Sequence, residues 1–358
     1  MNEAYHRALV SGQLHGIQPA LLRLGLSGLA CAYGCGAQLR SLGYNWRLAK
    51  VNHIPVPVVS LGNITTGGTG KTPFAAFLAK WFRERNIRVA FLSRGYGADP
   101  GSVNDEALVL DRLCPDVPHL QNPDRTASAR IAVEELESQL LILDDGFQHR
   151  QLARDLDIVL IDATNPWGYD ALLPRGLLRE PLSGLRRAGL IVITRVDDVT
   201  TAELQSIHDR LERIRGTREA VEISFPARRL VNAQGEGTDW QQIAGERVGA
   251  FCGIGNPLAF RRLLERHGLQ IEDRHFRTFP DHHRYTREDV DQLRRWADET
   301  GLTVVLTTQK DQVKLELPSL NRAAVWAVEI ETEIRSGQEL LERRLQEIAS
   351  RIDAGVEY

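Results

Sequence analysis

A chain of 358 residues with 42% hydrophobic and 25% charged side chains has an ordinary globular composition and enough length for two cores. Its 44 basic and 47 acidic side chains leave a formal net charge of −3, so no global field marks it as a nucleic-acid binder, and nothing calls for an obligate protein partner. Cys31, Cys35, Cys114 and Cys252 form no CxxC pair, which excludes a zinc finger or disulfide framework and fits a reducing cytosol.

The stretch Gly16–Leu39 carries one charge, Arg23. Its glycines, Pro19, Gln18 and Gln38 dilute it too much for a signal peptide or a clean spanning helix. Two readings stand: a helix lying on a membrane, or a buried structural helix.

Beyond it, apolar runs alternate with helical patterns: Val56–Leu61, Ile87–Leu92, Leu140–Leu143, Ile158–Ile161, Leu190–Ile193, Val248–Cys252, Thr303–Thr307 and Ala323–Ile330. This alternation predicts parallel sheets with helices on both faces. Phe74, Phe77, Leu78, Trp81 and Phe82 draw one helical stripe, with Pro73 in the first turn, where a missing N–H costs nothing. Thr286 followed by Asp289 opens a second helix, which Gly301 closes. Arg213–Gly237, rich in charge and glycine, reads as a hinge, and Leu340–Ile352 as an amphipathic helix able to return to the first domain. The expected division is an N-terminal apolar segment (1–50), a first α/β domain (51–220), a smaller α/β domain (221–335) and a closing helix (336–358).

Between the first run and its helix lies Leu61-Gly62-Asn63-Ile64-Thr65-Thr66-Gly67-Gly68-Thr69-Gly70-Lys71-Thr72. Small residues let successive backbone N–H groups close on phosphate oxygens at a helix N-terminus. Lys71 would reach the β- and γ-phosphates, and the Thr72 hydroxyl would sit on Mg²⁺. The strict pattern wants glycine at Thr65; the strand–loop–helix context carries the assignment instead. An acidic partner stands at another strand end, Asp144-Asp145-Gly146, where paired carboxylates can hold a metal or its waters.

A nucleotide switch would act through a positioned water, whereas a kinase must present a second substrate's hydroxyl to the γ-phosphate. Polar clusters at strand ends favour the second class: Ser93-Arg94-Gly95-Tyr96-Gly97, Asn104-Asp105-Glu106, Gln148-His149-Arg150, and Arg175 with Arg179-Glu180. Thr307-Thr308-Gln309-Lys310-Asp311 has the wrong spacing for the base-reading N-K-x-D of GTPases and reads as a strand-end turn, nucleotide contact being the alternative.

These motifs, with Asp144-Asp145-Gly146-Phe147-Gln148-His149, Leu173-Pro174 to Pro181, Phe279-Pro280-Asp281-His282-His283 and Lys310-Asp311, resemble the tetraacyldisaccharide 4'-kinase family from about Val56 to Lys314. The resemblance implies a P-loop NTPase-like α/β/α sandwich with a second, smaller α/β/α domain joined by a two-stranded linker. It implies ATP- and Mg²⁺-dependent phosphorylation of the 4'-hydroxyl of tetraacyldisaccharide 1-phosphate, giving lipid IVA, at the cytoplasmic face of the bacterial inner membrane. Thr65 to Thr72 would cradle ATP; Thr72, Glu106, Asp144 and Asp145 would serve the metal centre. Asp105 and His282 look like the catalytic pair, with Lys71 on the phosphates, and Asn63, Arg94, Gln148, His149, Arg179 and Glu180 fall to the substrate side. As Asp105 and His282 lie on opposite sides of the hinge, they are expected to meet only where the two domains face each other. Asn104 stands where the family often has glycine, and Arg175 and Leu177 depart from its usual P-A-G-P-L-R-E. The implied lipid substrate turns Gly16–Leu39 towards membrane attachment, with Arg40, Arg47 and Lys50 available to anionic headgroups.

Overall fold

The computed structural model describes residues 3–95 and 104–354; Tyr96 and Gly97, and the last residues of the 336–358 segment, lie outside the described residues. The chain divides into two compact units. The larger comprises Met1–Gly95, Asp116–Ser224 and Ile334–Tyr358; the smaller comprises Tyr96–Pro115 and Phe225–Glu333.

In the larger unit, with strands numbered along the whole chain, β1 (Val58–Asn63), β2 (Val89–Ser93), β3 (His119–Gln121), β4 (Leu140–Asp144), β5 (Leu156–Asp162), β6 (Leu190–Thr194), β7 (Val221–Ser224) and β15 (Glu333–Ser336) form an eight-stranded sheet. Its order is β15-β7-β6-β5-β1-β4-β2-β3, and every pair from β7 to β3 is parallel. Strands β1, β2, β4 and β6 are buried along their whole length, the continuous apolar run that a sheet covered on both faces requires. The helices are α1 (Glu3–Val10), α2 (Ile17–Asn45), α3 (Lys71–Arg83), α5 (Arg125–Glu134), α6 (Thr201–Arg215) and α10 (Gln338–Asp353). Alternate strand residues feed separate clusters: Val159, Ile161, Ile191 and Ile193 pack with Ile207 and Leu211 of α6, whereas Leu141 and Leu143 pack with Ala129 and Ala132 of α5.

The smaller unit holds β8 (Ala227–Val231), β9 (Gly237–Thr238), β10 (Val248–Cys252), β11 (Phe276–Thr278), β12 (Val304–Thr308), β13 (Ser319–Leu320) and β14 (Ala323–Ile330), in the order β11-β10-β12-β14-β8-β9 with β13 on β14. Strands β10, β11, β12 and β14 run parallel, while β8 turns antiparallel on β14. Its helices are α4 (Asp105–Leu113), α7 (Pro257–Arg266), α8 (Arg287–Thr300) and α9 (Gln309–Leu315). Ala250, Cys252 and Leu306 pack with Phe260 and Leu264 of α7; Phe251 and Val305, one residue out of phase, pack with Leu293 and Trp296 of α8. The period-2 alternation thus gives a second α/β/α layering. Thr286 and Asp289 form a reciprocal capping box at the start of α8, and Gly301 ends that helix in the left-handed conformation.

The stretch Arg213–Gly237, read as a hinge, carries β7, β8 and β9, with β7 between β15 and β6 and β8 between β14 and β9. The structure differs from the sequence reading at one place. Residues 104–115 group with the smaller unit: α4 packs on α9, and Arg112 donates to the Gln312 side chain at 3.2 Å and the Ala233 carbonyl at 3.5 Å.

Candidate active site

The phosphate cradle joins β1 to α3. Gly67 (φ +115°) and Gly70 (φ +87°) take left-handed backbone that side-chain-bearing residues resist. The loop is braced from both sides. Thr66 N–H donates to Leu177 O at 2.8 Å and Arg179 N–H to Ile64 O at 2.8 Å, while Thr194 Oγ1 donates to Thr69 O at 3.0 Å and Arg195 Nη2 to Gly68 O at 2.7 Å. Asn63 is fully enclosed, its Nδ2 donating to Thr69 Oγ1 at 3.2 Å, so this side chain braces the loop from beneath rather than facing a substrate.

Next to the cradle, Asp145 follows β4 with φ +49°. Lys71 Nζ lies 3.4 Å from its Oδ1, and Arg179 Nη1 donates to both carboxylate oxygens at 2.9 and 2.7 Å. Burial raises the Asp145 carboxyl, but Lys71, Arg179 and Arg125 outweigh it and hold it well below the usual carboxylate range. The turn reaches this position because two glycines let it. A Cβ on Gly62 would come within 2.6 Å of Phe147 Cβ, and one on Gly146 within 2.6 Å of Ser60 Oγ.

Gln148 donates to Asn63 O at 2.9 Å and to Glu180 Oε1 at 2.8 Å; Glu180 in turn accepts from Arg187 at 2.6 and 2.8 Å. These two side chains lock the turn to the Arg179–Pro181 segment. His149 is pushed down to about 4 by burial and by Arg125, Arg154 and Arg40, which makes it a neutral ring at physiological pH. Arg94, at the end of β2, is exposed.

The smaller unit contains a second charged cluster. Asn104 caps α4 by accepting from Ala107 N–H at 2.8 Å, which gives this asparagine a local purpose where the family often has glycine. The first two residues of that helix, Asp105 and Glu106, meet His282: Nδ1 lies 3.3 Å from Asp105 Oδ2 and Nε2 lies 3.6 Å from Glu106 Oε1. His282 is held in left-handed backbone (φ +57°), with its N–H on Asp281 Oδ1 at 3.0 Å. Lys310 Nζ lies 3.3 Å from Glu106 Oε1 and 3.1 Å from Asp281 Oδ1. Burial pushes the Asp105 carboxyl up, but His282, Lys314 and Lys310 prevail and leave it below its ordinary value. The bond to Asp105 raises His282, against burial and Lys310.

Asp105 and His282 therefore meet within one compact unit, not across two, because α4 belongs with α9. Sequence reasoning took Thr307–Asp311 for a turn. Thr307 and Thr308 end β12, and α9 starts at Gln309, capped by Thr308, which accepts from Asp311 N–H; Lys310 and Lys314 stand one helical turn apart on one face. The i, i+4 lysine spacing behind a capping threonine was the available signal.

A family model described as Tetraacyldisaccharide-1-P 4'-kinase matches residues 22–349. The chain belongs to this family. It is 39% identical over 332 residues to the tetraacyldisaccharide 4'-kinase of Anaeromyxobacter dehalogenans (strain 2CP-C), with 87% of each chain covered. It is 35% identical over 348 residues to that of Halothermothrix orenii, with 89% of this chain and 90% of the relative covered. The crystal structure of "apo" form LpxK from Aquifex aeolicus in complex with ATP, 30% identical, superposes with a TM-score of 0.72 over 91% of this chain and 99% of that one. The activity is that of the tetraacyldisaccharide 4'-kinases, a kinase step of lipid A biosynthesis.

In this kinase the oxygen donors beside the cradle are Thr72, Asp144 and Asp145, hard ligands of the kind Mg²⁺ takes together with phosphate oxygens and waters. The donor set fits Mg²⁺ as a partner of bound phosphate; among the described residues no three His, Cys, Asp or Glu side chains form a cage by themselves. Glu106, assigned to the metal centre from sequence, faces His282 and Lys310.

Helix α2 of the kinase is long and apolar enough to cross a membrane by length and composition. Its outer face is bare: Ile17 is 82% and Leu24 69% exposed, with Leu21, Leu29 and Leu39 exposed beside them, so the buried-helix reading fails. The inner side rests on the larger unit: Tyr33 OH donates to Arg179 O at 2.8 Å, Arg150 reaches Ser41 O and Asn45 Oδ1, and Gly34 sits where a Cβ would press to 2.7 Å on Leu172. Arg175 donates to Val10 O at 3.2 Å, which ties α1 to the same surface.

Proposed function

We propose that this chain transfers the γ-phosphate of ATP to the 4'-hydroxyl of tetraacyldisaccharide 1-phosphate, giving lipid IVA, while attached to the cytoplasmic face of the bacterial inner membrane. The observation that carries the reading is the Asp105–His282 pair: a carboxylate held ionised by a neighbouring imidazole is equipment for taking a proton from a sugar hydroxyl, beyond what a phosphate cradle alone supplies. ATP as donor is supported by the cradle and by the ATP complex of the related LpxK.

Under this reading Thr65 to Thr72 hold the triphosphate with backbone N–H groups, and Lys71 balances charge on its β- and γ-phosphates. Thr72, Asp144 and Asp145 would hold Mg²⁺, while Glu106 stays with His282 and Lys310. That ion, when bound, neutralises charge on the phosphoryl oxygens. Asp105 accepts the proton of the 4'-hydroxyl, and His282 orients the carboxylate. A weak base is adequate, because the transition state of phosphoryl transfer is loose and proton transfer is late. Arg179 lies at the lipid side with Arg94 and His149, while Gln148 and Glu180 set the position of that segment. The bare face of α2, with Arg47 and Lys50 following it, gives interfacial attachment through apolar area and basic residues.

The deciding assay compares γ-phosphate transfer to tetraacyldisaccharide 1-phosphate in mixed micelles with ATP hydrolysis in its absence. Transfer with slow acceptor-free hydrolysis is expected; rapid hydrolysis without acceptor would return the chain to the nucleotide-switch class.

A further inference from the structure

Two guanidiniums hold the turn that carries Asp145. Arg154 Nη1 donates to Phe147 O at 3.3 Å and to Asp157 Oδ2 at 3.0 Å. Arg187, the last residue of the short helix Leu182–Arg187, lies over the Phe147 ring with its guanidinium carbon 3.6 Å from the ring centre, and its Nη2 donates to Phe147 O at 3.1 Å. Its remaining bonds lead away from the turn. Nη1 donates to Glu180 Oε2 at 2.6 Å and to Gly184 O at 3.1 Å, and Nη2 donates to Glu180 Oε1 at 2.8 Å. The Glu180 side chain is only 12% exposed, and its Oε1 also accepts from Gln148 Nε2 at 2.8 Å. The residue before it is Arg179, whose Nη1 holds both carboxylate oxygens of Asp145. One side chain thus ties the carboxylate turn to the segment that brings in Arg179.

We propose that Arg187 is a positioning residue for phosphoryl transfer, setting the register between Arg179 and Asp145 by acting through Glu180 and Phe147 rather than on a substrate. The proposal rests on the kinase reading and adds a residue to it. The contact demands a planar fork: two carboxylate oxygens and a carbonyl are met together while the same plane lies on an aromatic ring. Lysine at this position would keep the charge and spare Glu180 the cost of a stranded carboxylate, yet a point charge cannot hold that arrangement. The surroundings would survive the change. Phe147 O keeps its bond from Arg154, the Phe147 ring stays in its apolar cluster, and Thr194 and Arg195 still brace the cradle. The loss therefore falls on alignment, not on folding or on nucleotide binding. Gly184 gives a second approach to the same pair. A Cβ there would press on Glu180 Oε2 and come within 2.7 Å of Arg187 Nη1, both of them movable side-chain tips, so Gly184→Ala displaces the pair and leaves the backbone in place.

The test measures kcat, KM for ATP and KM for tetraacyldisaccharide 1-phosphate in the full chain and in Arg187→Lys and Gly184→Ala, alongside melting temperature. Both variants should lose ~10–10²-fold in kcat, the scale of a small misplacement at the reacting groups. KM for ATP and melting temperature should stay close to those of the parent. Should Arg187→Lys fail to fold, Gly184→Ala, which removes no group, decides alone. A parent-like kcat in both variants overturns the proposal. So does a loss of kcat that comes only with a lowered melting temperature and a raised KM for ATP, since that is the pattern of a brace of the fold. No transfer from ATP by the unaltered chain would instead overturn the kinase reading itself.

Discussion

Lys314 Nζ lies 3.2 Å from Asp105 Oδ2 and 3.3 Å from Asp311 Oδ1, so one ammonium is shared between the carboxylate proposed as the base and a fully buried one. Asp311 is immobilised: Oδ1 accepts from Tyr285 OH at 3.0 Å, and Oδ2 from Thr308 Oγ1 at 2.7 Å and Gly253 N–H at 2.9 Å. This anchoring turns Lys314 from a flexible cation into a fixed one.

Lys314→Met should therefore change the pH dependence of turnover. Asp105 lies below its ordinary value against the pull of burial, with Lys314 one of the groups holding it there. Without that ammonium its pKa rises, and the ionised fraction is lost at higher pH than before. The acid limb of kcat/KM should move to higher pH, with turnover falling most in mildly acidic buffer. A pH–rate profile identical in shape to that of the unaltered enzyme would remove Lys314 from this role.

Asp105 and His282 should behave as a unit. We expect losses of ~10²–10⁴-fold for Asp105→Ala, the range of a general base, and for the double mutant little beyond the worse single. His282 is raised by Asp105, so its contribution to stability is fully present below the ordinary imidazole value of 6.5 and fades as pH climbs through the raised value. Melting curves of His282→Ala against the parent should converge above that pH. Multiplicative losses in turnover would show two independent residues.

Gly62→Ala forces a methyl against Phe147 backbone nitrogen at 2.7 Å, where no flexible side-chain tip can yield. Overpacking of this kind costs about 1–3 kcal/mol. Differential scanning calorimetry should show a drop of roughly 2–10 °C, and turnover should fall with it, since the displaced turn carries Asp145. A melting temperature equal to the parent's would mean the strand and turn part easily.

Changing Leu21, Leu24 and Leu29 together to Asp tests the bare face of α2. These side chains are exposed, so the fold should survive while apolar area is lost and negative charge added. Flotation with anionic vesicles should find the triple variant in the soluble fraction and the parent with lipid. Equal binding of both would assign the face to something other than lipid.

Much of the architecture was legible in the chain itself. All eight apolar runs are strands, because parallel strands buried on both faces must be apolar without interruption. The cradle, the α3 stripe and the Thr286–Asp289 cap were equally plain, since their physics acts over a few residues. Strands of two or three residues, such as β9, β11 and β13, were not, as nothing in so short a segment distinguishes it from a turn until a neighbour pairs with it. Which carboxylate meets which cation was decided only by tertiary packing. Asp105 faces His282 and Lys314 because α4 docks on α9, Glu180 is taken by Arg187 and Gln148, and Asp197 finds Arg335. Such pairs join residues far apart in sequence through chain closure. A charged residue's local pattern says that it is solvated or paired, but the identity of the partner is a property of the fold.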